Sequence, residues 1–367
     1  MSPVLPTQTR PMRRRELGLL VGALLGLVLH ACGSDYAAPA TLEMPSAVTV
    51  AAPPAVTTRP CNGQTDRPPA VASYPPDPLP PPGQMPAGSY MAEIQRRGTL
   101  IVGTSIDTKL FAAINPETNK IEGFDIDMAR LVAAAIFGPK DLDQRLDLQG
   151  ITYAQRIPKV RSGEVDLVAH TMTINCARWQ QVAFSSVYLW AGQKLLVEKG
   201  SDLETKLETQ TVKTMDALAG RRVCVSAGGT SADEMASVDV SPPIEVVEVS
   251  NQTDCVVLFQ QGEVDAIRSD DTVLAGFAAQ DPFATVAKGL FLTEEPYGLA
   301  MSLDHPEFTS FVNAVIDQAK ADGTWSAIYD DWLREPLGDP AKVIVANQSS
   351  VIGVPEPDYS RPRPAGT

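Results

Sequence analysis

Three kinds of residue in this chain suit the capture of a small zwitterion. Arg178 closes the run TMTINCAR behind the hydroxyls of Thr171 and Thr173, and Asp270 closes the run DAIRSD. A guanidinium is a planar, permanently charged fork that matches a carboxylate, and an aspartate accepts from an ammonium. Gly228, Gly229, Thr230 and Ser231 lead into a helical stretch at 232–236, and a helix start with glycines and hydroxyls suits an anion. Tyr153 offers a ring to wall an aliphatic stem. Taken together, these groups describe a pocket for a free α-amino acid. Taken singly, each has a plainer explanation. Arg178 could be a surface ion-pair residue, Asp270 a cap for a helix at 272–277, Tyr153 a core residue, and the GGTS run a turn. Binding is favoured because the groups stand at matching points of two similar units.

Those units are GEVDLV at 163–168 and GEVDAI at 262–267. Each opens like a buried strand and ends in polar residues. Around them the sequence predicts strands at 99–104, 194–198, 222–225 and 244–249, and helices at 125–138, 153–161, 253–261, 306–322 and 324–333. Asp125 is expected to cap its helix. A metal site at Asp125 and Asp127 is disfavoured, because no further acids cluster at suitable spacing. Alternating strands and helices imply mostly parallel sheets covered on both faces, here in two α/β blocks joined near 190–195. Open α/β sheets bind ligands beyond the carboxyl ends of their strands, so the two polar tips should face a common cleft.

The chain has 367 residues and a formal charge of −14. That charge argues against nucleic acid and against adsorption to acidic lipid. Arg10, Arg13, Arg14 and Arg15 precede an apolar run from Leu17 to Leu29, which ends in LHACG. A basic flank and an apolar core too short to span a membrane describe a signal peptide, and Cys32 stands where a bacterial lipoprotein carries its lipidated cysteine. Residues 37–88, rich in Pro, Ala and Thr, read as an extended tether. Beyond Leu337 the pattern fails again, and from Pro355 disorder is expected. The remaining cysteines, Cys61, Cys176, Cys224 and Cys255, allow three pairings in an oxidising compartment. Cys224–Cys255 within one lobe and Cys61–Cys176 between leader and body are preferred, with free thiols still open for the second pair. The histidines are His30, His170 and His305, and no catalytic triad or metal set can be assembled by spacing.

Residues 92–335 resemble the family 3 bacterial extracellular solute-binding proteins, which serve polar amino-acid transporters. IEGFDIDMARLV (121–132), TMTINCARWQQVAFSSVY (171–188), GEVDAIRSDD (262–271) and DGTWSAIYDDWL (322–333) carry the resemblance. Together with the lipoprotein layout, it points to actinobacterial glutamine/glutamate-binding lipoproteins. It implies a type II periplasmic-binding-protein fold: two α/β lobes with a hinge and a ligand cleft between them. Lobe 1 would comprise residues 91–192 and 290–337, and lobe 2 residues 193–289. A signal peptide (1–31), a tether from Cys32 (32–90) and a tail (338–367) would flank them.

The resemblance further implies that Arg178 clamps the α-carboxylate with Thr173 and the Thr230 region, while Asp270 receives the α-ammonium. Tyr153 would form the aromatic wall, and Thr171 would lie on the binding segment. Ser105 stands where many members carry an acid, and Lys109 and His170 stand where others have smaller or neutral groups. These departures point away from lysine and arginine and toward glutamate, glutamine, aspartate or asparagine. The expected protein is a monomer without cofactor, anchored by lipid to the outer face of the cell membrane. It would serve an ABC importer permease or, alternatively, a membrane signalling protein. A dehydratase-type enzyme on the same fold is a weaker alternative.

Overall fold

The computed structural model describes residues 70–209, 214–288, 290, 292–338, 343–344, 351–352 and 354–364. The leader, Cys32 and Cys61 lie outside these residues. The principal strands, in chain order, are β1 (Leu100–Thr104), β2 (Leu146–Gly150), β3 (Leu167–Val168), β4 (Ala183–Phe184), β5 (Leu189–Glu198), β6 (Arg222–Ser226), β7 (Glu245–Val249), β8 (Ala266–Asp270), β9 (Ala284–Val286), β10 (Glu294–Tyr297) and β11 (Ala300–Met301).

They form two sheets of the same plan. In lobe 1 the order is β2-β1-β3-β11-β4, and in lobe 2 it is β7-β6-β8-β5-β9 with β10 also paired to β5. The first three strands of each order run parallel. The fourth, which arrives from the other part of the chain, is antiparallel to both neighbours. In each order the fifth strand therefore runs with the first three, as the mostly parallel arrangement expected has it, and the crossing strand alone is reversed. Crossing strands return through the middle of each sheet, and composition does not register strand direction. The lobes are joined by β5 and β10, an antiparallel pair with Glu295 opposite Ala191.

Both faces of each sheet are covered. Along β6, Val223 and Val225 enter one core while Cys224 enters the other, as the two-residue period of a strand requires. Leu195 and Leu196 of β5 divide in the same way. The Cys224–Cys255 disulfide ties β6 to the helix Gln252–Gln260, across a Cα–Cα distance of 5.6 Å. Cys176 is also disulfide-bonded; Cys61, the partner expected for it, lies outside the described residues.

The repeated GEVD units now have a common explanation. Gly163 and Gly262 end their helices at positive φ (74° and 70°), a conformation that glycine adopts without penalty. The aspartate three residues on then folds back to the first strand of its own lobe. Asp166 accepts from the Ile101 amide and Asp265 from the Arg222 amide, each at 2.8 Å. Each unit thus sets the register from which the polar tip projects.

Two expectations need correction. Asp125 does not cap its helix, whose N-cap is Gly123. It is fully buried, accepting from the Thr171 amide at 2.7 Å and from the Tyr188 hydroxyl at 2.6 Å. The second correction concerns the ends of the body. Residues 70–77, expected to be free tether, and 354–364, expected to be disordered, both pack on lobe 1. Ala70, Ala72, Ser73 and Tyr74 are buried, and the Ser73 amide donates to the Asp358 carbonyl at 2.8 Å. Extended, proline-rich segments held by scattered single contacts leave no periodic trace in a sequence.

Candidate functional site

The carboxyl ends of β3, β6 and β8 converge between the lobes on a narrow polar cavity. Lobe 1 lines it with Tyr153, Arg156, Thr171, Thr173 and Arg178, and lobe 2 with Ser226, Gly229, Thr230, Ser231, Gln252, Ser269 and Asp270. Eight of the residues singled out from sequence are thereby brought together: Tyr153, Thr171, Thr173, Arg178, Gly229, Thr230, Ser231 and Asp270.

Arg178 sits on the short helix Cys176–Trp179, whose N-cap Asn175 accepts from the Arg178 amide at 2.9 Å. Its Nη1 donates to the Thr173 carbonyl at 2.8 Å, which fixes one edge of the fork. Asp270 ends β8, and its carboxylate accepts from the Tyr297 hydroxyl of β10. Burial acts on the two ions in opposite directions. It lowers the pKa of Arg178. It raises that of Asp270 well above the carboxylate range, with the nearby Glu295 charge adding to the effect. Each charged form is therefore costly in the closed cleft unless a counter-charge arrives.

Thr171 adopts a left-handed backbone (φ 39°) that a threonine rarely takes. The buried Asp125 holds it there through the amide bond described above. The segment that follows is stitched to the hinge, since the Ile174 amide donates to the Pro296 carbonyl and the Gly298 amide to the Met172 carbonyl. Thr173 and Thr230, from opposite lobes, both donate to Glu295 Oε2, at 2.6 and 3.0 Å.

Sequence reasoning missed Arg156, Glu295 and Gln252. Arg156 is buried and stacked 4.3 Å from the Tyr153 ring. It donates to the carbonyls of Tyr153, His170 and, across the cleft, Gly228. Burial, then repulsion from Arg178, lower its pKa to about 9. In the sequence it looks like one more cation on a helix. Gln252 accepts from Ser226 through Oε1, while its buried Nε2 has no hydrogen-bond partner among the described residues. A lone glutamine before an apolar helix gives no signal.

Ser105, His170 and Lys109 lie apart from this cavity. Ser105 and His170 line an adjoining hollow behind Tyr153. Ser105 bonds to Asp107 and Thr108. His170 Nε2 lies 3.1 Å from the Ile151 carbonyl, so that nitrogen carries the proton. Burial and the Arg156 charge lower the His170 pKa to about 3. The ring is neutral, and Lys109 is exposed. The positive charges on the cavity are instead those of Arg156 and Arg178. Among the described residues no cluster of metal-ligating side chains occurs and no helix is long and apolar enough to cross a membrane.

Two similarly built lobes, linked by two strands and meeting over a polar cavity, define the two-lobe fold of a solute-binding protein. The chain belongs to the bacterial extracellular solute-binding proteins, family 3, whose model matches residues 100–335. It is 32% identical over 253 residues to the ABC transporter glutamine-binding protein GlnH of Bacillus subtilis, covering 69% of this chain and 86% of that one. It is 32% identical over 261 residues to the glutamate-binding protein GluB of Corynebacterium glutamicum, covering 70% and 83%. Among solved structures, an ancestral arginine-binding protein bound to glutamine superposes with a TM-score of 0.56 at 31% identity, covering 65% of this chain and 98% of that one.

Proposed function

We propose that the protein captures glutamate, glutamine, aspartate or asparagine outside the membrane and delivers it to an ABC importer. The observation that carries this reading is the placement of Arg178 and Asp270, from opposite lobes, on one small buried cavity. Arg178 takes the α-carboxylate and Asp270 the α-ammonium, while the Tyr153 ring covers the stem. The ligand brings a carboxylate to Arg178 and an ammonium to Asp270 at once. Its affinity for the closed form then drives closure, as population shift requires. The side-chain end meets the Arg156 field and the free Gln252 amide. A carboxylate or a carboxamide can accept there, whereas an ammonium or guanidinium would be repelled. The names of the relatives support binding over catalysis, and the leader with Cys32 supports a lipid anchor on the outer face of the membrane.

Calorimetric titration of the full chain with these four amino acids tests the reading. Arg178→Ala should weaken binding by about 2–5 kcal/mol, because it leaves a carboxylate unpaired in a closed site. Equal affinity in the variant would remove Arg178 from the site.

A further inference from the structure

We infer that the two terminal segments, residues 70–77 and 354–364, form a clasp that positions Arg178 for its ligand. This rests on the reading of Arg178 as the carboxylate clamp. The helix that carries Arg178 is only four residues long, too short to hold its own shape in water, so its orientation must be set by neighbours. Trp179, the next residue, is buried and points away from the cleft into the clasp. Its indole Nε1 donates to the Ala70 carbonyl at 2.7 Å. The Tyr74 ring meets it edge-on with centroids 5.7 Å apart, and the Arg361 guanidinium lies 3.8 Å from its ring centroid.

The segments also hold each other and the body. Arg361 Nε donates to the Ala72 carbonyl at 2.9 Å, and Arg363 pairs with Asp77 at 2.6 Å. Ser73 Oγ donates to the Phe184 carbonyl at 2.7 Å, which fixes the clasp to lobe 1. A partly buried lysine, Lys320, closes the far end by donating to the Pro355 carbonyl at 2.7 Å. Arg361 is therefore a positioning residue. It stacks on Trp179, Trp179 sets the helix, and the helix aims the fork of Arg178. Cation–aromatic stacking of this kind is strongest where it is shielded from water, and here both partners are largely covered.

A double-mutant cycle in the full chain tests the inference, with L-glutamate and L-glutamine as titrants. Arg361→Ala should lower affinity by about threefold to tenfold, and Trp179→Phe, which removes the Ala70 bond, should act in the same direction. In an Arg178→Ala background Arg361→Ala should have no further effect on affinity, since there is no fork left to aim. A purely structural role would lower the melting temperature and leave affinity unchanged, which would overturn the clasp. If Arg361→Ala does not fold, Arg361→Lys carries the same comparison, because it keeps the charge and loses the planar stack. Unchanged affinity in Arg178→Ala would overturn both the site reading and the clasp. A fall in Arg178→Ala with none in the Arg361 and Trp179 variants would overturn the clasp alone.

Discussion

His170 shows how a single buried ring can be read in the pH dependence of the whole protein. Its folded pKa is lowered to about 3, against about 6.5 for a solvated histidine. Between those values the unfolded chain holds a proton that the native ring refuses. Its stabilising effect is thus complete above about pH 6.5 and is lost as pH falls toward 3. Asp125 works in the opposite sense, because burial raises its pKa to about 6. The native state holds its proton more tightly than the unfolded chain does, so its share of stability declines as pH rises through that window. Comparing the native chain with His170→Gln cancels the Asp125 contribution. Urea unfolding at pH 7 and pH 4.5 should show the native chain losing more stability than the variant. Equal losses would mean that the ring titrates as if it were in water.

At this scale the sequence revealed the groups that line the cavity better than their supports. Arg178 and Asp270 were legible because they stand at matching points of two similar units. Asp125 was misread because its neighbours fit a helix start equally well. Nothing local shows that the Thr171 amide, 46 residues on, lies 2.7 Å from its carboxylate.

Among the elements, β6 and the helix Gln252–Gln260 are cross-linked, since their cysteines close a loop with a separation of 31 residues. Chain-entropy arguments assign such a cross-link about 3–4 kcal/mol. Replacing both cysteines by alanine should lower the unfolding free energy by that amount. Urea curves that coincide would show that the bond adds nothing to equilibrium stability. The order of strands and helices was readable from the alternation of apolar runs, and the matched GEVD units exposed the repeated lobe plan. Strand direction was not readable, because β5 and β11 enter each sheet from the opposite half of the chain and their residue types carry no arrow.

For the molecule as a whole, closure depends on how nearly the lobes can touch. Gly228 is one point of close approach between them. Its carbonyl accepts from Arg156 across the cleft at 3.1 Å, its φ is +78°, and an added Cβ would lie 2.8 Å from the Ala154 Cα. Gly228→Ala should therefore resist closure, besides carrying the penalty of about 1–2 kcal/mol for a left-handed alanine. Small-angle scattering with saturating L-glutamate should show the native protein contracting and the variant staying extended, with circular dichroism unchanged. Equal contraction would show that the contact relaxes easily.

The position of β11 between β3 and β4 has a consequence for the order in which the protein is made. All of lobe 2 is threaded into the chain between Phe184 and Ala300. A nascent polypeptide emerging from its N-terminal end therefore presents β3 and β4 with a gap between them until the intervening half has come out entire. The second lobe can fold first, while the first waits, its central seam unfilled, for one short strand to arrive.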